Sequence, residues 1–155
     1  MPMILAIDPG SRNIAHAIYD SDTRTLMDFG HDTLGGANKI QRLKAARAYI
    51  HALLPEGCNV DVCAVERMFS TLSGADFCLH VVSYFVQARC EDLGVLCQEI
   101  SAGTAKKAAT GHGNARKAEV RVALEAMFGA ALTEDESDAV SVALAAAQLH
   151  ICNGA

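Results

Sequence analysis

The chain has 155 residues, 51% of them apolar, with 13 Lys and Arg against 18 Asp and Glu and a formal net charge of -5. That length suits one domain, 1–155, with a sizeable core, and the charge has the wrong sign for a generally basic nucleic-acid coat protein. No apolar run approaches the roughly 18 residues of a membrane span, and Met1-Pro2-Met3-Ile4 lacks a signal peptide's basic region, so a cytoplasmic protein with no membrane partner is expected.

Ile4-Leu5-Ala6-Ile7-Asp8 is an apolar run that ends on a carboxylate and is broken at once by Pro9-Gly10. It reads as a core strand with Asp8 held at its C-terminal end, since the residue before a proline is pushed to extended geometry. Asn13 to Tyr19 alternates and predicts a second strand, Asp20-Ser21-Asp22 a turn, and Thr23 to Phe29 a third strand, together an antiparallel meander. Asn38 is a natural N-cap for an amphipathic helix from Lys39 to Leu54, with Lys39, Arg42, Lys44 and Arg47 at its polar positions. Val60 to Glu66 is the next strand, again finishing on a carboxylate. A helix between two such strands predicts a right-handed crossover and parallel pairing, which brings Asp8 and Glu66 to the same sheet edge.

Arg67 to Gly74 reads as a loop and Ala75 to Leu93 as a long helix with few charges. Val95 to Ile100 is a fifth strand. Ser101 to Asn114, with three glycines, reads as mostly loop. Ala115 to Phe128 and Asp135 to Leu149 are two further helices, the last opened by Thr133 and an acidic first turn. The six cysteines form no C-x-x-C pair and mostly sit in apolar context, so they read as reduced, buried thiols without zinc-ligand spacing.

Asp135 and Asp138 are three residues apart on one helix face, next to apolar residues. With Asp8 and Glu66 they make an all-oxygen set, which suits Mg²⁺ or Mn²⁺. Paired ions of this kind serve phosphodiester displacement. Taken singly, each acid also fits a cap or a solvated helix face, and Glu134 and Glu136 are assigned to solvent. From Ser101 to Arg121, Lys106, Lys107, Arg116, Lys117 and Arg121 stand against Glu119 alone, a local +4 that suits phosphate contacts.

Ile7-Asp8-Pro9-Gly10-Ser11-Arg12, Val65-Glu66-x-x-Phe69, Gln87-Ala88-Arg89, the stretch from Lys106-Lys107 through Thr110-Gly111-x-Gly113 to Lys117, and Asp135-x-x-Asp138-Ala139 occur in that order. In this the chain resembles the RuvC family of Holliday junction resolvases nearly end to end. The resemblance implies a ribonuclease H-like α/β fold with a five-stranded mixed sheet flanked by helices. It also implies a homodimer and Mg²⁺-dependent paired nicking of four-way DNA junctions. By motif, Asp8, Glu66, Asp135 and Asp138 fall on the family's metal-binding acids, Phe69 on its junction-contacting aromatic, and Lys106 and Lys117 on its DNA-contacting lysines. Val81 to Val86 and Cys90 depart from the family's small-residue pattern around Gln-Ala-Arg. The segment before it is longer than usual and the C-terminal tail shorter, which suits a compact phage-type or divergent member. Two other readings share the acid pattern: a ribonuclease H-like nuclease acting on RNA–DNA hybrids or other branched DNA, and a catalytically silent nucleic-acid-binding module. A sugar-kinase or actin-like ATPase would need two such domains.

Overall fold

The computed structural model of the protein describes residues 2–68 and 74–153. Met3–Asp8 (β1), Asn13–Asp20 (β2) and Thr25–Thr33 (β3) form the meander, Lys39–Leu53 (α1) crosses over, and Val62–Glu66 (β4) returns beside β1. Gly74–Leu93 (α2), Leu96–Ile100 (β5), Ala102–Thr110 (α3), Lys117–Phe128 (α4) and Glu134–Asn153 (α5) complete the described chain. The sheet order is β3-β2-β1-β4-β5. β1 pairs antiparallel with β2 and parallel with β4, and β4 pairs parallel with β5. None of the described helices is long and apolar enough to cross a membrane.

Side chains alternate across each strand, so the central strands feed two cores. Leu5, Ile7, Ile14 and Cys63 face α1 and α2, where they pack with Ile50, Val82 and Val86. Ile4, Ala6, Ala15, Ala17, Val62 and Ala64 face the opposite way, toward α5 and the helices α3 and α4. The central positions of this second face are alanines, and α5 answers with Ala139, Ala143, Ala146 and Ala147, all buried. Small against small lets the helix axis approach the sheet closely. α5 is buried over most of its circumference from Glu136 to Ala147, as expected of a helix sandwiched between a sheet and other helices.

Several boundaries differ from the sequence expectation, with β4 starting at Val62, α4 at Lys117 and α5 ending at Asn153, and two further differences have a clear local cause. Asp20 Oδ1 accepts the backbone N–H groups of Asp22 and Thr23 at 2.9 and 3.3 Å, and Arg24 takes φ 55°. The turn therefore runs through Arg24, and β3 starts later but continues to Thr33, opposite Asn13. The stretch from Ser101 to Asn114, expected as mostly loop, contains α3. Ser101 Oγ accepts the Thr104 N–H at 3.1 Å as N-cap, and Gly111, at φ 84°, closes the helix. Gly111 thus serves as a C-cap, and Gly103 is absorbed into the first turn. Elsewhere the expected caps hold: Asn38 Oδ1 accepts the Gln41 N–H at 2.9 Å at the start of α1.

Candidate active site

The site begins with strand register. Asp8 follows Ile4 and Ala6 in the alternation of β1, so its side chain belongs to the α5 face. Glu66 follows Val62 and Ala64 in the same way, one step past the Ile7–Val65 pair. The chain then turns sharply at Pro9-Gly10. A Cβ on Gly10 would sit 2.0 Å from the Asn13 carbonyl oxygen, so only glycine lets the chain double back there. α5 starts at the same edge and supplies the other acids. Its first turn is fixed by a reciprocal cap: the Glu136 N–H donates to Thr133 Oγ1 at 3.2 Å, and the Thr133 N–H donates to Glu136 Oε2 at 2.8 Å.

Three of the four expected acids converge. One carboxylate oxygen from each of Asp8, Asp135 and Asp138 lies within 4.8 Å of the other two. Glu66 stands outside that triad at the neighbouring strand end, close enough to share its field. Burial, then the charges of Asp138, Glu66 and Asp135, push the Asp8 carboxyl up to about 8. Burial and Asp138 likewise raise Glu66 against the pull of Lys117 and Lys106. Asp138 is raised chiefly by burial, against the pull of Lys117. Crowded carboxylates with shifts in this direction form a field that a cation relieves. The donors are all oxygen, so they fit a hard divalent ion of the Mg²⁺ or Mn²⁺ type.

The basic residues divide. Lys117 Nζ donates to Asp138 Oδ2 at 3.2 Å and lies 3.2 Å from Glu134 Oε1. Burial pulls Lys117 down, but the Asp138 and Glu134 contacts outweigh it and push it up to about 12. Lys117 is thus part of the acid cluster itself. Lys106 is half-buried and near enough to Glu66 to lower it. Lys107 lines an open groove with Thr110, Gly111, His112 and Gly113. Arg116 is the exposed N-cap of α4, its N–H held by Glu119 Oε2 at 2.8 Å. Arg121 is paired with Glu125 at 3.1 Å, one turn away on the same helix. Phe69 lies outside the described residues.

Glu136 corrects a sequence expectation: it is 8% exposed and not a solvent-facing acid. Besides capping α5, its Oε1 accepts from His31 Nδ1 at 2.8 Å. An ionised carboxylate only accepts, so Nδ1 carries the proton. Burial alone would raise Glu136, but the Thr133 N–H, His31 and the Thr133 hydroxyl hold it below the usual range. The Glu136 hydrogen bond in turn raises His31. Asp8 pairs with Ala15, and Ala15 with His31, so Asp8 and His31 lie in one row on one face of the sheet. β3 therefore grips the start of α5 beside the acids. Thr133-x-x-Glu136 is a capping-box pattern visible in the sequence, whereas nothing local marks His31 as its partner.

This sheet order, with carboxylates at the C-terminal ends of β1 and β4 and at the start of α5, defines a ribonuclease H-like protein. Its family is shown by residues 4–150, which match the model for crossover junction endodeoxyribonuclease RuvC: the chain belongs to the RuvC family. Among solved structures it is similar to Thermus thermophilus RuvC, at 19% identity and a TM-score of 0.80, with 98% of this chain and 96% of that chain covered. It is also similar to T. thermophilus RuvC in complex with Holliday junction substrate, at 19% identity and a TM-score of 0.82, with 98% and 97% covered. At that identity the likeness is one of fold. No curated protein sequence matches.

Proposed function

We propose that this chain is a single-domain, homodimeric endodeoxyribonuclease that resolves four-way DNA junctions by Mg²⁺-dependent hydrolysis, with Mn²⁺ as a substitute. The convergence of Asp8, Asp135 and Asp138 within 4.8 Å carries the chemical part of this reading. Membership of the RuvC family carries the substrate part, and the T. thermophilus relative has been solved with a Holliday junction substrate. The catalytic and metal-holding residues are Asp8, Glu66, Asp135 and Asp138. When bound, divalent ions at such a site supply Lewis-acid activation of water and charge neutralisation at the scissile phosphate.

The chain's own residues do the rest. Asp8 and Glu66, on rigid strand ends, and Asp135 and Asp138, on the capped turn of α5, hold the donor set in place. Lys117 sits where it can trade its Asp138 contact for a phosphate oxygen. Lys106, Lys107, Arg116 and Arg121 continue the basic surface along α3 and α4 and track the backbone without reading bases. Phe69 follows Glu66 by three residues and is assigned to stacking on an unpaired base at the crossover.

Dimerisation is assigned to α2. Phe77 and Tyr84 are seven residues apart, share one helix face and are 66% and 62% exposed. A two-fold dimer on this face would give two sites related by a dyad, which paired nicking requires.

The test is a panel of end-labelled four-way, three-way, flap, linear and RNA–DNA hybrid substrates with Mg²⁺. Symmetric cuts on the four-way junction, well ahead of all others, are expected. Faster cutting of the hybrid or of linear DNA would overturn the junction assignment.

A further inference from the structure

α1 carries Lys39, Arg42, Lys44 and Arg47 and no acid, and the sequence holds none between Asp32 and Glu56. The net charge of the chain is -5, so the residues outside this +4 helix carry -9. Concentrating four cations on one helix of an acidic protein costs self-repulsion unless an anion lies against it. Among the described residues no acid pairs with any of the four, although Lys117, Arg67 and Arg121 all have carboxylate partners.

The placement of the helix gives the charge a direction. β3 ends at Thr33, at the same sheet edge as Asp8, and α1 starts from there. Lys39 and Arg42 line a crevice with Gly10 and Ser11, the turn that follows Asp8. Lys44, Arg47 and His51 line an open groove further along the helix. From Lys39 to His51 the basic residues span roughly 18 Å at 1.5 Å per residue, about five base-pair steps of duplex. Lys39 and Arg42 lie at the catalytic end, with Lys44, Arg47 and His51 together on the outer face beyond it. The helix leaves the catalytic edge on the side opposite the basic residues of α3 and α4, because α1 and α5 cover opposite faces of the sheet.

We infer that α1 is a second phosphate-tracking surface, which holds a duplex arm of the branched DNA after it has crossed the carboxylate edge. This rests on the proposed junction substrate and adds where its second arm lies. A single strand is a poorer fit, since α1 offers no free aromatic for base stacking: Tyr49 is half-buried and hydrogen-bonded to His16 at 2.6 Å. A membrane surface fits poorly too, because Ile40 is the one large apolar side chain exposed on this helix. Such contacts are to phosphates, so they favour no sequence.

The double substitution Lys44→Gln/Arg47→Gln tests this, since both positions lie away from the catalytic edge and Gln keeps helix propensity. Binding to four-way junctions with long and with shortened arms is measured with Ca²⁺ over a series of salt concentrations. On long arms the slope of log affinity against log salt should fall by about 2, one phosphate contact for each lost charge. On arms too short to reach α1, variant and unmodified protein should bind alike. The melting temperature and the single-turnover cutting rate at saturating protein should not change. An unchanged slope on long arms, or an equal loss on both substrates, would overturn the inference; an acidic protein partner for α1 would give the first result. Should the unmodified protein fail to prefer or cut junctions while the slope difference persists on long duplex, the junction function would fall and the helix contact would stand.

Discussion

At Asp8 the sequence and the electrostatics meet. Its place at the end of an apolar run was legible because proline and glycine follow at once. The sequence also groups it with Glu66, Asp135 and Asp138; what it does not give is the spacing, in which Asp8, Asp135 and Asp138 converge within 4.8 Å and Glu66 stands outside. The folded value of Asp8 near 8 lies above the unfolded 3.8, so in the cation-free protein the folded form keeps a proton that the unfolded form has lost. The associated stability is complete below pH 3.8 and is lost as pH rises through about 8. Asp8→Asn should therefore raise the cation-free melting temperature at pH 8 and have little effect near pH 4, as read by calorimetry. Equal effects at both pH values would contradict the assigned burial and repulsion. Phe69 belongs to the same scale. Phe69→Ala should slow cutting of intact junctions while leaving junctions already unpaired at the centre nearly as good substrates. Equal slowing on both, without loss of thermal stability, would show that the ring does not open base pairs. The His31–Glu136 contact spans 105 residues of sequence. The sequence therefore predicts a solvent-facing Glu136, even though its T-x-x-E pattern is present.

The element that brings the acids together is α5, and its approach is set by alanines. Ala6, Ala15, Ala17 and Ala64 on the sheet leave room for the buried alanines of the helix. Ala64→Leu, two residues before Glu66, should overpack this contact and destabilise the fold by about 1–3 kcal/mol in urea unfolding. Nicking should fall by more than the lost folded fraction explains, because the wedge displaces Asp135 and Asp138 from Asp8. Nicking that merely follows the folded fraction would show that helix spacing does not tune the site. The strands and α5 were legible from apolar runs, turn residues and capping. α3 is not, because glycines at this spacing predict a loop, whereas Gly111 terminates the helix and Gly103 is carried within it.

At the scale of the whole molecule, the two sheet faces divide the labour. The α5 face carries the acids, α3 and α4 carry one basic flank, and the α1–α2 face carries the other flank and the exposed aromatics. The proposed homodimer is implied in the sequence by the family resemblance, but one chain's sequence does not show which apolar residues of α2 its own core takes. Val82, Val86 and Cys90 go to the core and Phe77 and Tyr84 to the surface. Phe77→Glu/Tyr84→Glu should give a monomer in sedimentation at micromolar concentration and abolish paired nicks. A variant that sediments like the unmodified protein would place the dimer contact elsewhere. The most direct measurement compares the protein with its Asp138→Asn variant on one labelled four-way junction, with Mg²⁺ for cutting and Ca²⁺ for binding. Replacing an outer-shell partner of a metal ligand typically costs 10–100-fold, so losing a ligand should slow nicking by more than about 100-fold while junction binding stays intact. Nicking by the variant at the unmodified rate, or nicking by the unmodified protein without any divalent ion, would contradict the carboxylate site.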